Sequence, residues 1–231
     1  MNRLRFALKC WILAVFAVGA GQFSHRANAA YYPITTQAGL NANANISIAA
    51  LGSNGTIMTN PFTTSTSLGD PVTFTQFASA SQRVNQGAGW NGNFAPNEPL
   101  LWTRFGGPVT MNFSGPALKT FGLQIQPDIY GRFTAYVSVL NNVGGVLATF
   151  NFTGTSTNLG NDSALFIGVG SDSATTDFAS VRIGILTGGN IRNFAFNSPE
   201  FQVVPEPSTY ALAAVGVVTL AGIGRRRKRK A

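Results

Sequence analysis

Three aspartates late in the chain have the residue type that a hard metal ion requires. Asp162 is followed by Asp172 and Asp177 in a serine- and threonine-rich stretch. Calcium takes oxygen ligands from carboxylates and loop carbonyls, so these three are candidate calcium ligands. The spacing lacks the EF-hand pattern, and Asp and Ser also cap their own backbone in ordinary turns. Two alternatives therefore stay open, a calcium cofactor and no cofactor at all.

Aromatic and carboxylate side chains suggest two further kinds of chemistry. Trp90 lies in a glycine-rich stretch predicted to be an exposed loop, and with Trp102 it is a candidate glycan-binding surface. The alternative is that both belong to the core or its rim, where large aromatic residues are common. Glycoside hydrolysis would need two carboxyl groups at a fixed separation, and the spacing of Glu98 and Glu200 predicts no such approach.

The only cysteine and the only histidine, Cys10 and His25, both lie in segment 1–29. This segment has the features of a secretory signal peptide: a basic start, an apolar stretch over Cys10–Gly21, and small residues at Ala27–Ala29. An uncleaved anchor is the alternative, but about a dozen apolar residues fall short of the roughly 20 needed to span a bilayer. We predict cleavage after Ala29, which excludes catalysis by Ser-His or Cys-His pairs from the exported protein. We expect no enzymatic activity.

Residues 30–203 are predicted to form one all-β domain. Apolar residues alternate with polar ones at period two, as in half-buried strands, and Gly, Asn and Pro clusters separate the strands. The alternating apolar sets are Val109, Met111, Phe113; Phe121, Leu123, Ile125; Phe133, Ala135, Val137, Val139; Ala148, Phe150, Phe152; and Val181, Ile183, Ile185. This pattern predicts an antiparallel, jelly-roll-like β-sandwich. Residues 42–77 carry a weaker strand signal.

The formal net charge of +8 is concentrated at the two ends of the chain. Between residues 30 and 204 there are six Lys and Arg residues and seven Asp and Glu residues. Electrostatic binding of nucleic acid requires clustered cations that face phosphates. The predicted domain has no such cluster, so nucleic acid is excluded as a partner.

The C-terminal segment 204–231 has three parts. Pro205, Glu206 and Pro207 lie in the motif Val204–Ser208, an uncharged segment Thr209–Gly224 follows, and a basic cluster ends the chain. The cluster comprises Arg225, Arg226, Arg227, Lys228, Arg229 and Lys230. Sixteen residues make a helix of about 24 Å, which can cross a core of about 30 Å with snorkelling and local thinning. The cations place the tail end in the cytoplasm. A plain C-terminal anchor is the alternative.

This tail resembles the PEP-CTERM sorting signal of exported proteins of Gram-negative bacteria. The resemblance implies an exosortase-type processing enzyme as partner, transient attachment to the inner membrane with the domain on the periplasmic side, and delivery to the cell surface or beyond. The segments Trp90–Pro96 and Arg192–Phe196 look more loosely like the sandwich of such exported proteins. We expect a non-enzymatic structural or adhesive role in a surface or biofilm matrix. The alternative is a lectin-like module that binds exopolysaccharide, with or without calcium.

Overall fold

A computed structural model describes residues 31–141, 143–172, 178–188 and 190–203. The predicted signal peptide, the sorting motif with its apolar segment, and Asp177 lie outside the described residues. The first strands are β1 (Tyr31–Ile34), β2 (Ala44–Asn45), β3 (Phe62–Ser65), β4 (Pro71–Gln76), β5 (Gln82–Gln86), β6 (Gly89–Trp90), β7 (Pro99–Trp102) and β8 (Val109–Phe113). They are followed by β9 (Leu118–Pro127), β10 (Gly131–Leu140), β11 (Val146–Ser156), β12 (Leu165–Ser171), β13 (Ser180–Thr187), β14 (Phe194–Phe196) and β15 (Glu200–Val203). Two short 3-10 helices span Gln37–Leu40 and Ile48–Leu51.

These strands form two sheets, which confirms the predicted all-β sandwich. The larger sheet has the order β1-β12-β9-β14-β7-β5-β6, and β15 pairs with both β9 and β2. The smaller sheet has the order β11-β10-β13-β8-β4-β3. Within the described residues every strand pairing is antiparallel except that of β5 with β6. Strands β1 to β4 pair into the same two sheets as the later strands, so the weakly patterned N-terminal part belongs to this sandwich.

The core lies between the sheets and is built from the alternating residues that the sequence pattern singles out. Phe121, Leu123 and Ile125 of β9 are buried, as are Val137 and Val139 of β10. The period-two alternation is therefore confirmed for these strands, because only side chains on one face of a strand reach the facing sheet. Burial of this apolar surface, at about 25 cal/mol per Å², is the main stabilising contribution in a chain without disulfides between residues 30 and 231.

Both chain ends leave the described sandwich at the same end. Val203 pairs with Leu118 at the start of β9, and Tyr31 pairs with Ser171 at the end of β12, which runs antiparallel to β9. The loops that follow β4, β7, β9 and β13 lie at the other end, roughly 30 Å away along the ten residues of β9. Tyr31 and Val203 therefore lie at the same end of the sandwich.

Glycines on the outer face of the larger sheet allow neighbouring side chains to pack closely against its backbone. A Cβ atom at Gly122 would lie 2.6 Å from Cζ of Phe166 and 3.1 Å from the carbonyl oxygen of Ile167. The backbone oxygen cannot move away without disturbing the β9–β12 pairing. A side chain at this position would therefore strain the sheet itself.

We expect Gly122→Ala to lower the free energy of unfolding by about 1–3 kcal/mol, the usual range for forced overpacking. Urea unfolding of the exported protein measures this change. Thr153→Ala, at an exposed position on β11, serves as control and should change the stability by less than about 0.5 kcal/mol. Equal stability of Gly122→Ala and the unmutated protein would show that the Phe166 ring is not packed on this glycine.

Candidate functional site

A polar cleft lies on the outer face of the larger sheet, where β14 ends and β15 begins. Asn197 directly follows β14 and bonds to β9 through both its backbone and its side chain. Its Oδ1 accepts a hydrogen bond from the Gln124 backbone N–H at 2.8 Å, and its own backbone N–H donates to the Gln124 carbonyl at 3.2 Å. Its Nδ2 donates to Gln124 Oε1 and to Glu98 Oε1, each at 2.9 Å. Asn197 thus connects the backbone of β9 to the side chains of Gln124 and Glu98.

Two further carboxylates accept hydrogen bonds from amides here, Asp162 from a member of this cluster and Glu200 from a separate amide in the cleft lining. Gln124 Nε2 donates to Asp162 Oδ1 at 3.0 Å, and Gln37 Nε2 donates to Glu200 Oε1 at 2.7 Å. The amide side chains fix the orientation of each carboxylate because each donates to one of its oxygens. The cluster is therefore an ordered set of acceptors at the surface.

One aromatic ring borders the cleft. Phe166 of β12 is half-buried and lies over Gly122, and its Cε1 atom lies 3.1 Å from where a Cβ of Gly168 would be. The cleft is shallow, with about 10 Å³ of accessible volume, which is room for about one water molecule. Its lining includes Gln37, Gln124, Phe166, Asn197, Ser198 and Glu200.

The charge of the cleft has one sign. Glu98, Asp162 and Glu200 lie in or beside it, and among the described residues that line it there is no lysine or arginine. Carboxylates grouped in this way produce a local negative potential. The cleft therefore favours neutral or positively charged ligands and repels anions.

The expectation that Trp90 lies on an exposed loop is wrong. Trp90 is 6% exposed and packs on the outer face of the larger sheet, with its ring centroid 6.2 Å from that of Trp102. Its Nε1 has no hydrogen-bond partner within the described part of the chain. The glycines around Trp90 suggested a free loop, but β6 pairs with β5 and draws this segment onto the sheet.

The polar group of Trp102 forms a hydrogen bond within the fold. Its indole N–H donates to Asn193 Oδ1 at 2.6 Å, and the amide of Asn193 donates to the carboxylate of Asp128. Burial raises the pKa of Asp128 above its ordinary value, and the bond from Asn193 partly offsets this. Both tryptophans thus pack as parts of the sandwich, Trp90 buried and Trp102 partly buried.

A buried amide network holds the loop that follows Trp90. Asn93 is 4% exposed, and its backbone N–H donates to Gln126 Oε1 at 2.6 Å. Its Oδ1 accepts from the backbone N–H and the hydroxyl of Thr157, at 2.6 and 2.8 Å. Its Nδ2 donates to Ser163 Oγ at 2.9 Å. This network joins the Trp90 loop to the β11–β12 connection, and its role is structural.

The structure does not bring the candidate calcium ligands together. Asp162 precedes β12 and Asp172 follows it, so this seven-residue strand places roughly 20 Å between them. Calcium ligands lie 2.3–2.6 Å from the ion, and one ion cannot reach both residues. Asp177 lies outside the described residues. Across the described ranges, no group of three His, Cys, Asp or Glu residues has the geometry to hold a metal ion.

Sequence reasoning missed the cleft. Nothing in the sequence suggested that Glu98 and Glu200 meet; in the structure Glu98 accepts a hydrogen bond from Asn197, and Glu200 lines the same cleft as Asn197. The one available signal was the outward glutamine in the alternation Leu123-Gln124-Ile125. Nothing local marked Phe166 or Gln37.

The fold and the C-terminal sequence together define an exported β-sandwich protein. The family model of the PEP-CTERM protein-sorting motif matches residues 203–229, so the chain carries a PEP-CTERM sorting motif at these residues. The motif indicates export, sorting through the C-terminus and a membrane-anchored sorting signal. Among the described residues no helix is long and apolar enough to span a bilayer, and Thr209–Gly224 lies outside them.

No curated protein matches this chain. Among solved structures it is similar to a DUF4465 family protein from Bacteroides caccae ATCC 43185, with 10% sequence identity and a TM-score of 0.35. That similarity covers 75% of this chain and 100% of the other.

Proposed function

We propose that this protein is a non-enzymatic structural or adhesive component of the cell surface or extracellular matrix, where its sandwich packs against polysaccharide. The observation that carries the proposal is the outer face of the smaller sheet. The only charged residues in its six strands are Arg132 and Arg182. Exposed or half-exposed hydroxyl and amide residues cover this face, namely Thr63, Thr73, Thr75, Thr110, Asn112, Thr134, Thr149, Asn151 and Thr153.

A hydroxyl-rich face with few charges suits contact with a hydrated polymer. Thr63 and Thr73 bond through their hydroxyls at 3.0 Å, and Ser138 and Thr149 do so at 2.8 Å, so part of the array is already ordered. Contact with a polysaccharide would exchange water for sugar hydroxyls without the cost of burying unpaired charge.

The route to this location follows from the tail. An exosortase-type enzyme would recognise Pro205, Glu206 and Pro207 while Thr209–Gly224 sits transiently in the inner membrane, with Arg225 to Lys230 in the cytoplasm. Processing would then release the sandwich to the surface. The absence of Cys and His between residues 30 and 231 supports a role without catalysis.

Charge added to the hydroxyl-rich face tests the proposal. Asn112→Asp combined with Asn151→Asp introduces two carboxylates with almost no change of shape, at exposed positions on β8 and β11. We expect severalfold less protein to stay with the washed matrix, because each carboxylate must be desolvated on contact. The matched control is Asn91→Asp with Asn158→Asp, two exposed asparagines outside this face. Unchanged retention of the β8/β11 variant would refute contact through this face.

The second candidate function is the lectin-like alternative, recognition of a saccharide, for which the surface amide and carboxylate groups of Gln37, Gln124 and Glu200 offer hydrogen-bond partners. A single calcium ion held by both Asp162 and Asp172 is not part of this candidate function, because the two residues lie at opposite ends of β12.

A further inference from the structure

We infer that the edge strand β11 of the smaller sheet pairs with β11 of a second copy of this chain, antiparallel and centred on Asn151. The product is a two-fold symmetric dimer in which the smaller sheets of both copies form one continuous sheet. The inference goes beyond the surface or matrix role proposed above and does not depend on it, since it concerns contacts between copies of this chain alone.

Strand β11 is a long free edge in this sandwich. It has 11 residues and pairs only with β10 among the strands that the structure describes. The other edge strands, β1, β2, β3 and β6, have between two and four residues, and β1 contains Pro33. Natural proteins protect sheet edges from pairing by short strands, prolines and charged residues. The short edges are protected in this way, whereas β11 is not.

The sequence and the backbone of β11 leave it open to pairing. It contains no charged residue and no proline, and its one irregularity with β10 lies at its start, opposite Leu140. Residues 148–156 then follow β10 in regular register. Within the described part of the chain, the backbone of residues 148–154 forms hydrogen bonds with β10 alone. A row of outward N–H and C=O groups is therefore available to another strand.

The order of residues in β11 favours a copy of itself as the partner. Residues 149–153 read Thr-Phe-Asn-Phe-Thr, the same in both directions, and a small residue stands on each side, Ala148 and Gly154. Antiparallel pairing about Asn151 therefore places each residue of this segment opposite one of the same kind. A two-fold symmetric interface requires such self-complementarity, because every contact occurs twice with the roles exchanged.

Both faces of the joined strands would gain matched pairs. On the inner face, Phe150 would lie opposite Phe152 of the second copy, and both rings already pack in or against the core between the sheets. On the outer face, the exposed Thr149 would lie opposite Thr153 of the second copy. Aromatic pairs and threonine pairs across neighbouring strands stabilise a sheet, whereas like charges across them destabilise it. The dimer would have the first two kinds of pair and none of the third.

Disulfide cross-linking of the full chain in the producing cells, with a mild oxidant and a non-reducing gel, tests the register. Asn151→Cys lies on the two-fold axis, where facing Cα atoms are about 4.5–5.5 Å apart, which suits a disulfide. We expect most of this variant to run as a dimer. Thr149→Cys should cross-link at least tenfold less, because the two copies of that position are roughly 13 Å apart. Its combination with Thr153→Cys should restore the cross-link.

Two controls accompany the cysteine variants. Asn112→Cys is exposed on β8, three strands away from the edge, and should cross-link at least tenfold less than Asn151→Cys. The unmutated chain, whose one cysteine is Cys10, should show no disulfide dimer and so excludes cross-linking through that residue.

Opposite charges test the same register without cysteine. Thr149→Lys with Thr153→Lys would place lysine opposite lysine in the dimer, and Thr149→Glu with Thr153→Glu would place glutamate opposite glutamate. Sedimentation of the full chain in detergent should show at least tenfold weaker self-association of each variant alone, because like charges face each other. An equal mixture of the two variants should restore association, since lysine then faces glutamate. Mixing could not rescue a folding defect.

Several results would overturn the inference. Absence of a dimer for Asn151→Cys would do so, as would equal cross-linking of Asn112→Cys, a cross-link of Asn151→Cys to a different protein in place of a second copy, or unchanged association of both charge variants. Retention in the matrix is a separate measurement. Asn112→Asp alone adds charge to the hydroxyl-rich face three strands away from β11, so it tests that face while the edge stays unchanged.

Discussion

Asn93→Ala is expected to lower the free energy of unfolding by about 3 kcal/mol, which is a large fraction of the stability of a typical domain. The asparagine is 4% exposed, and its side chain bonds to Thr157 and Ser163. Alanine would leave the N–H and the hydroxyl of the half-buried Thr157 without these partners. Each buried polar group without a partner costs about 1–3 kcal/mol.

The measurement is urea unfolding of the exported protein, followed by tryptophan fluorescence. Asn91→Ala is the matched control, because Asn91 is exposed two residues earlier in the same loop, and it should change the stability by less than about 0.5 kcal/mol. The Asn93 variant should also shift Trp90 emission to longer wavelength, since loosening of the loop would expose a buried indole. A loss below about 1 kcal/mol would show that the network does not hold the loop.

Strands could be predicted from the sequence where they bury apolar residues on one face, because the residues then alternate in hydrophobicity. Strands β8, β9, β10 and β13 bury alternate apolar residues, and period two revealed them. Strand β12 escaped notice because Gly168 and Gly170 occupy its outward positions. A side chain at Gly170 would lie 2.5 Å from the ring of Tyr32 on β1, so this position must stay small, and the alternation is lost.

Strand β5 was missed for a different reason. Its residues Arg83 and Gln86 are buried but polar, and polar residues indicate a loop in sequence analysis. The side chain of Gln86 forms two hydrogen bonds with the backbone of Gly92. Its Nε2 donates to the carbonyl oxygen at 2.9 Å, and its Oε1 accepts from the N–H at 3.0 Å. The candidate cleft was likewise invisible, because it joins Gln37, Gln124 and Asn197, which are distant in sequence and meet only through the order of strands in the larger sheet.

Replacement of Pro205, Glu206 and Pro207 by alanine is expected to leave nearly all of the protein unprocessed in the inner membrane. The two prolines keep the segment before the apolar stretch extended, because each disfavours helix in the preceding residue. Alanine, the strongest helix former, would remove this boundary together with the one carboxylate of the motif. Both changes remove features by which an exosortase-type enzyme could recognise the tail.

Mass spectrometry of both termini in fractionated cells measures the outcome. The unmutated protein should begin near Ala30, end near Pro205 to Pro207 and occur outside the inner membrane, whereas the alanine variant should keep Arg225 to Lys230. Arg132→Ala, an exposed cation of the sandwich, is the control and should be processed normally. Deletion of Arg225–Lys230 separates recognition from topology, since it leaves the motif intact and removes the cations that hold the tail end in the cytoplasm. A processed alanine variant would mean that the apolar segment and basic cluster suffice for sorting, and the proline–glutamate–proline triplet would then be a spacer.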